Sequence, residues 1–192
     1  MMRRLVLKMS TSLDGFVCGP NGETDWMIRS RDEGGKAWVA DRLWRAGLHA
    51  MGSRSYYAMA GFWPTSTDLL AAPMNDIPKI VFTQQRSLDL IAGDSAPAAS
   101  WAEAQIANGD LATEIGRLKQ QPGKDIVAHG GAGFAQSLAR LGLIDEYRLV
   151  VHPVALGVGL RLFAELPMPL DLKLVSTSIF ASGVVAQVYR PA

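Results

Sequence analysis

Apolar and polar positions alternate in blocks along this chain, and the blocks change period. Residues 3–9 (RRLVLKM) form a short β-rich run that reads as a buried strand. A polar loop follows, carrying Asp14, Gly15, Gly19, Pro20, Asn21 and Gly22. Residues 32–46 have helical spacing, with Trp38, Leu43 and Trp44 on an apolar side and Gly47 as the predicted stop. Residues 48–51 read as a short strand that turns at Gly52 into a helix over 55–60, and 79–83 (KIVFT) as another strand. Asp110 is the predicted N-cap of a helix with Leu111, Ile115 and Leu118 at i, i+4 and i+7, stopped by Gly123. Residues 125–128 (DIVA) form a strand, and Phe134, Leu138 and Leu141 repeat the helical spacing up to Gly142. Strands at 147–151, 172–180 and 184–189 complete the pattern, the last two joined as a hairpin around 181–183. Residues 64–75 show no clear period and read as a surface loop.

Strand–helix alternation closed by a hairpin predicts an α/β fold whose central sheet is mostly parallel, with antiparallel strands at one edge. Composition narrows the class. The 192 residues fit one domain over 1–192, and 48% hydrophobic residues suffice for a sizeable core. A formal charge of +1 gives no case for a nucleic-acid partner. The apolar runs are too short to span a bilayer, so no membrane partner is expected. The N-terminal MMRRLVLKMS lacks the long apolar stretch of a signal peptide, because Lys8 interrupts it. Cys18 is the only cysteine, which rules out an intrachain disulfide and a cysteine zinc cluster and suits a cytoplasmic setting. His49, His129 and His152 are widely spaced and form no metal motif, so no metal is expected.

Three strand–helix or strand–loop joins carry candidate chemistry. In DIVAHGGAGFAQSLARLG a strand runs into Gly130, Gly131, Ala132 and Gly133, where a helix starts. Glycine permits positive φ and close approach of a ligand to the backbone, and a helix N-terminus offers unpaired N–H groups. The same residues could also form a tight turn that binds nothing. The full G-x-G-x-x-G fingerprint and the Walker A motif are both absent. The second join is Met51-Gly52-Ser53-Arg54-Ser55-Tyr56, where Arg54 could pair with a phosphate or lie on the surface beside a capping serine. The third, Thr83-Gln84-Gln85-Arg86-Ser87, sets another arginine and hydroxyls after a strand. His129 could touch a ligand at the glycine turn or sit satisfied at its strand end.

Taken in order, these joins resemble the dihydrofolate reductase fold, and more closely the reductase domain of bifunctional riboflavin-biosynthesis proteins and its stand-alone relatives. The resemblance covers nearly the whole chain. It is carried by Ser12-Leu13-Asp14-Gly15-Phe16-Val17, Asp25-Trp26, Met51-Gly52-x-Arg54-Ser55-Tyr56, Phe62-Trp63-Pro64 and Val81-Phe82-Thr83, then by Gly123-Lys124-Asp125-Ile126, Gly130-Gly131, Leu143-Ile144-Asp145-Glu146 and Pro153-x-x-Leu156-Gly157-x-Gly159-x-x-Leu162-Phe163. It implies a three-layer dihydrofolate reductase-like fold and NADPH-linked hydride transfer to a small heterocyclic or carbonyl substrate. The closest parallel in activity would be 5-amino-6-(5-phosphoribosylamino)uracil reductase; a non-catalytic dinucleotide-binding module and a true dihydrofolate reductase are the alternatives. The resemblance assigns the cofactor pyrophosphate to Gly130, Gly131, Ala132 and Gly133. The 2′-phosphate side would fall to Gly52, Ser53, Arg54 and Ser55, helped by Thr83 and Arg86, although Ser53 stands where the family has its arginine. The substrate side would be Ser12 and Asp14, with Trp26 and Trp63 either walling the pocket or belonging to the core. Asp14 is the candidate catalytic acid or substrate anchor, and a turn-stabilising Asp-Gly role is equally open. Asp32 or Glu33 would grip a pterin in a true folate reductase, or else serve as N-terminal helix charges. Because the first strand begins near residue 3, no deaminase domain is expected upstream. A homodimer is expected, with residues 143–154 and 160–163 either contributing to its interface or belonging to the core.

Overall fold

The structure, a computed structural model, describes residues 2–30, 32–90 and 96–192. Its centre is an eight-stranded sheet in the order β5-β4-β3-β6-β1-β7-β10-β9. The strands are β1 (Leu5–Ser12), β3 (Ala46–Gly52), β4 (Lys79–Phe82), β5 (Gln105–Ala107), β6 (Asp125–Ala128), β7 (Glu146–His152), β9 (Leu172–Ile179) and β10 (Val185–Pro191). β5 through β7 pair in parallel, while β10 and β9 pair antiparallel. The expected mostly parallel sheet with a C-terminal antiparallel hairpin is the fold observed. A separate pair, β2 (Phe16–Cys18) with β8 (Leu160–Arg161), folds the loop after β1 back against the sheet.

Helices cover both faces, as parallel strands buried on two sides require. One face packs α5 (Leu111–Gln120) and α6 (Ala132–Arg140) onto Leu5, Leu7, Ile126 and Ala128. The other packs α1 (Glu33–Leu43), α2 (Ser53–Ala60), α3 (Ala71–Asp76) and α4 (Ala96–Ala102) onto Val6, Met51, Val81 and Val127. The pleat explains this division, because neighbouring residues of a strand point to opposite faces.

Three expectations need correction. Residues 64–75 are not a surface loop. They contain a short 3-10 turn at Trp63–Thr65 and then α3, whose Ala71, Pro73, Met74 and Asn75 are buried. The segment is too short to show a period, and buried polar contacts hold it instead. Lys79 Nζ donates to the carbonyls of Asn75 (3.1 Å) and Ile77 (2.5 Å), and Trp101 Nε1 donates to Asn75 Oδ1 (2.8 Å). Gly47 is not a helix stop, since α1 ends at Leu43 and Gly47 lies inside β3. Trp44 and Leu141 occupy C-cap positions and are exposed rather than packed on their helices' apolar sides. Residues 146–152, which read equally as interface or core, form an internal strand between β1 and β10.

Candidate functional site

β3 and β6 are neighbours in the sheet, yet their onward connections diverge. β3 leads through α2 to β4 on one side, and β6 leads through α6 to β7 on the other. The two helices also lie on opposite faces. Such a divergence opens a crevice at the carboxyl ends of the strands, where open α/β sheets bind ligands. A cleft of about 1580 Å³ occupies this place. It exceeds the roughly 300–1,000 Å³ of an ordinary small-molecule site, so it has room for a dinucleotide and a second ligand.

Two helix N-termini face this cleft, and both begin on glycine. Gly52 caps α2 and Gly131 caps α6, and neither start has a side-chain cap. The first backbone N–H groups of both helices are therefore left for an external acceptor. The contrast is with α1 and α5, whose starts are closed by Asp32 accepting from Gly35 N and Asp110 accepting from Thr113 N. The two glycine turns are fastened together, because Ser55 Oγ donates to the Gly130 carbonyl at 2.7 Å. Gly131 has φ +95°, and a Cβ there would stand 2.8 Å from Ser55 Oγ. Only glycine fits this conformation and this clearance without strain.

The structure brings Gly52, Ser53, Arg54, Ser55, Thr83, Gly130, Gly131, Ala132 and Gly133 together on the cleft wall. Arg54 lies exposed in the first turn of α2. Arg86 is exposed and is not among the lining residues. The candidate substrate residues also lie elsewhere. Ser12 is buried, donating to Asp14 Oδ1 (2.6 Å) and accepting from Phe16 N (2.9 Å). Asp14 further accepts from Leu156 N (3.1 Å) and Gly157 N (2.8 Å), which clasps the loop after β1 to the loop before β8. The Ser12 hydroxyl and then the Gly157 N–H hold its carboxyl at about 2, so it stays ionised at neutral pH. These contacts are those of a turn-holding residue, and Asp14 does not line the cleft. Trp26 is buried against the His152 edge at 5.3 Å, beside a second, smaller cavity. Trp63 is half-buried beside Phe62 and packs on the α1–α4 core face. Asp32 spends its carboxylate on Gly35 N and Ser182 N, and Glu33 faces solvent beside Lys36. Neither lines the cleft.

Sequence reasoning missed several residues that shape the cleft. Lys8 and Ser10 project from β1, and Phe134 stacks on Phe82 at 5.1 Å beneath the glycine turns. Their signal was the alternation of β1, where Lys8 and Ser10 flank Met9 in a strand that begins apolar. His129 also lines the cleft, and its ring pairs with His49 behind it. Burial drives both imidazoles toward the neutral form. His49 is lowered to about 3 by burial and by Lys79, and His129 falls well below its ordinary value through burial and the charges of His49, Lys8 and Lys79. Among the described residues, no three His, Cys, Asp or Glu side chains gather as a metal site. No described helix is long and apolar enough to cross a membrane.

Known proteins with this arrangement place the chain. The RibD C-terminal domain family matches residues 3–186. The chain belongs to that family. The uncharacterized protein YyaP of Bacillus subtilis (strain 168) is 35% identical over 194 residues, spanning 98% of this chain and 95% of its own. A protein of Shewanella sp. PV-4 assigned to riboflavin biosynthesis superposes with a TM-score of 0.75 at 19% identity, covering 100% of this chain and 99% of that one. Dihydrofolate reductase of Enterococcus faecalis, solved with NADP(H), superposes with a TM-score of 0.64 at 10% identity, covering 100% and 99%. The fold is thus dihydrofolate reductase-like.

Proposed function

We propose that this protein is an NADPH-dependent reductase that transfers a hydride to a small heterocyclic or carbonyl substrate, of the kind reduced by 5-amino-6-(5-phosphoribosylamino)uracil reductase. One observation carries the reading: two uncapped, glycine-started helices, tied by the Ser55–Gly130 bond, converge on one cleft at the switch point of the sheet. Their N–H groups and partial positive charge suit a pyrophosphate. Arg54, in the first turn of α2, supplies a guanidinium for the 2′-phosphate. Bound NADPH supplies the hydride. The chain's own work is to hold the cofactor across the two turns, seat the substrate beside Lys8, Ser10 and His129, and exclude water with the β2–β8 flap, whose Cys18 and Leu160 line the cleft. Its place of action is the cytoplasm.

The exposed edge strand β9 carries Leu174, Val175 and Ile179 on its open surface, and a second copy of the chain covers it in a homodimer. NADPH oxidation is the direct test of the function. Substrate-dependent oxidation with the phosphoribosylaminouracil supports the reading. NADPH oxidation with dihydrofolate alone redirects it to folate chemistry, and NADPH binding without reduction of any heterocycle or carbonyl overturns the enzyme in favour of a binding module.

A further inference from the structure

We infer that His129 presents a fixed hydrogen-bond acceptor to the ligand in the cleft, its tautomer set from behind by His49 and the Pro73 carbonyl. The ligand concerned is one with a ring N–H, an amine or a hydroxyl at that point, and its identity as a reductase substrate or cofactor rests on the function proposed above.

The reasoning follows the protons along a chain of three groups. The Pro73 carbonyl can only accept, so the His49 Nε2 that contacts it at 3.2 Å carries a hydrogen. A neutral His49 ring then has a bare lone pair on Nδ1. That nitrogen is hydrogen-bonded to His129 Nε2, which must therefore be the donor. The remaining nitrogen of His129, Nδ1, is left with a lone pair. The opposite tautomer would set two lone pairs against each other in a buried contact.

Geometry holds this arrangement in place. His49 is fully buried in β3 and does not line the cleft, whereas His129 does. The His129 N–H is bonded to the Ala50 carbonyl at 2.8 Å, so the backbone that carries the ring is part of the sheet. Lys8 extends from the neighbouring strand, where Leu7 pairs with Ala128, and its charge opposes a second positive charge on His129. A neutral acceptor in this position favours a donating ligand group and rejects a carbonyl or phosphate oxygen. His49 is accordingly a positioning residue, acting on the ligand only through His129.

Imidazole nitrogen NMR on the labelled full chain tests this without a known substrate. In the free protein at neutral pH, both rings should be neutral with the proton on Nε2. A charged His129, or one protonated on Nδ1, overturns the inference. Titration with NADPH, and then with diaminouracil added to the NADPH-saturated protein, should move the His129 Nδ1 resonance in at least one step. A resonance unmoved by both probes overturns the acceptor role. His49→Leu should release His129 into mixed tautomers and weaken the responding probe about tenfold, the loss of roughly one hydrogen bond. His49→Gln keeps an amide donor for Pro73 and an acceptor for His129, so it should restore both readouts. Equal tautomers and affinities in wild type and His49→Leu contradict the positioning role. If His49→Leu does not fold, the wild-type and His49→Gln spectra still decide. Failure of NADPH to bind strikes the reductase reading instead and leaves the free-protein tautomer to be judged separately.

Discussion

At the amino ends of the parallel strands, charged side chains satisfy one another. Glu146 is buried and accepts from Arg4 (2.9 Å), Arg148 (2.8 Å) and Arg190 (2.9 Å), while Asp125 takes a two-pronged contact from Arg4 at 2.6 and 3.1 Å. At the carboxyl ends, the polar groups are aimed outward. Two helix starts have no side-chain cap, Arg54 stands in the first turn of one of them, and a neutral histidine borders the glycine turn. One end of the sheet spends its polar groups on holding strands together. The other keeps them for a ligand, and needs glycines and a buried imidazole pair to do so.

That division can be broken from either side, and the largest effect should come from the amino end. Glu146→Gln removes the hub of the arginine cluster. Arg148 is buried and cannot turn to water, whereas Arg4 and Arg190 can, so the cost should be about 3 kcal/mol, near the low end for a broken buried pair. Denaturant unfolding should show this loss while NADPH affinity stays unchanged. A matching loss of affinity would mean that the two ends are coupled.

Acid should separate the ends in the opposite order. His49 and His129 resist protonation when folded but accept protons freely when unfolded, so the unfolded state binds more protons as pH falls below about 6.5. Stability should therefore decline as pH falls from that value, by up to roughly 1.4 kcal/mol per pH unit for each histidine, with the share of His49 ending near pH 3. Glu146 behaves otherwise. Burial pushes its carboxyl up, but Arg190, Arg148 and Arg4 outweigh that and hold it below the ordinary value. Its contribution is full above the ordinary carboxylate range and is lost progressively as pH falls from that range to the lowered folded value. Hydrogen exchange read along β6 and β7 should loosen near His129 before it loosens near Glu146.

Changes at the glycine turns should read mainly in binding. Gly131→Ala places a methyl against Ser55 Oγ at a backbone angle that favours glycine. It should cost about 1–2 kcal/mol of stability and weaken NADPH roughly tenfold or more. Arg54→Ala should leave stability alone and weaken NADPH about tenfold while NADH changes far less. Equal losses for both cofactors would remove Arg54 from the 2′-phosphate. The smallest effect is expected from Asp14→Asn. Its carboxylate holds a loop and does not line the cleft, so turnover should remain within about threefold of wild type. A collapse of turnover with intact NADPH binding would return Asp14 to the chemistry.

Much of this division was legible in the sequence, and the exceptions have physical reasons. Strand–glycine–helix joins mark themselves, since few residues other than glycine serve a turn like that at Gly131, and both cleft turns were found this way. Spatial partnership is not written in the order of residues. Nothing in Ser12-Leu13-Asp14-Gly15 tells that Asp14 will meet the N–H groups of Leu156 and Gly157, over a hundred residues later. Trp26 and Trp63 carry the same ambiguity, because an aromatic ring suits a pocket wall and a core equally well. Elements of two to seven residues, such as β2, β5, β8, α3 and α4, are too short to show a period. Lys79 gave no sign that its buried ammonium would hold α3 beneath it, with burial lowering it to about 7. His129 had two readings, and its place in the structure joins them: it is satisfied at its strand end by His49 and also borders the cleft.

The central claim is that the two glycine-started helices hold the pyrophosphate of NADPH. Titrating the protein with NADPH, and reading tryptophan quenching with energy transfer to the bound nicotinamide, tests it most directly. The account predicts saturable binding well below millimolar concentration, weakened by Gly131→Ala and untouched by Glu146→Gln. Absence of binding below millimolar, or binding indifferent to Gly131→Ala, would contradict it.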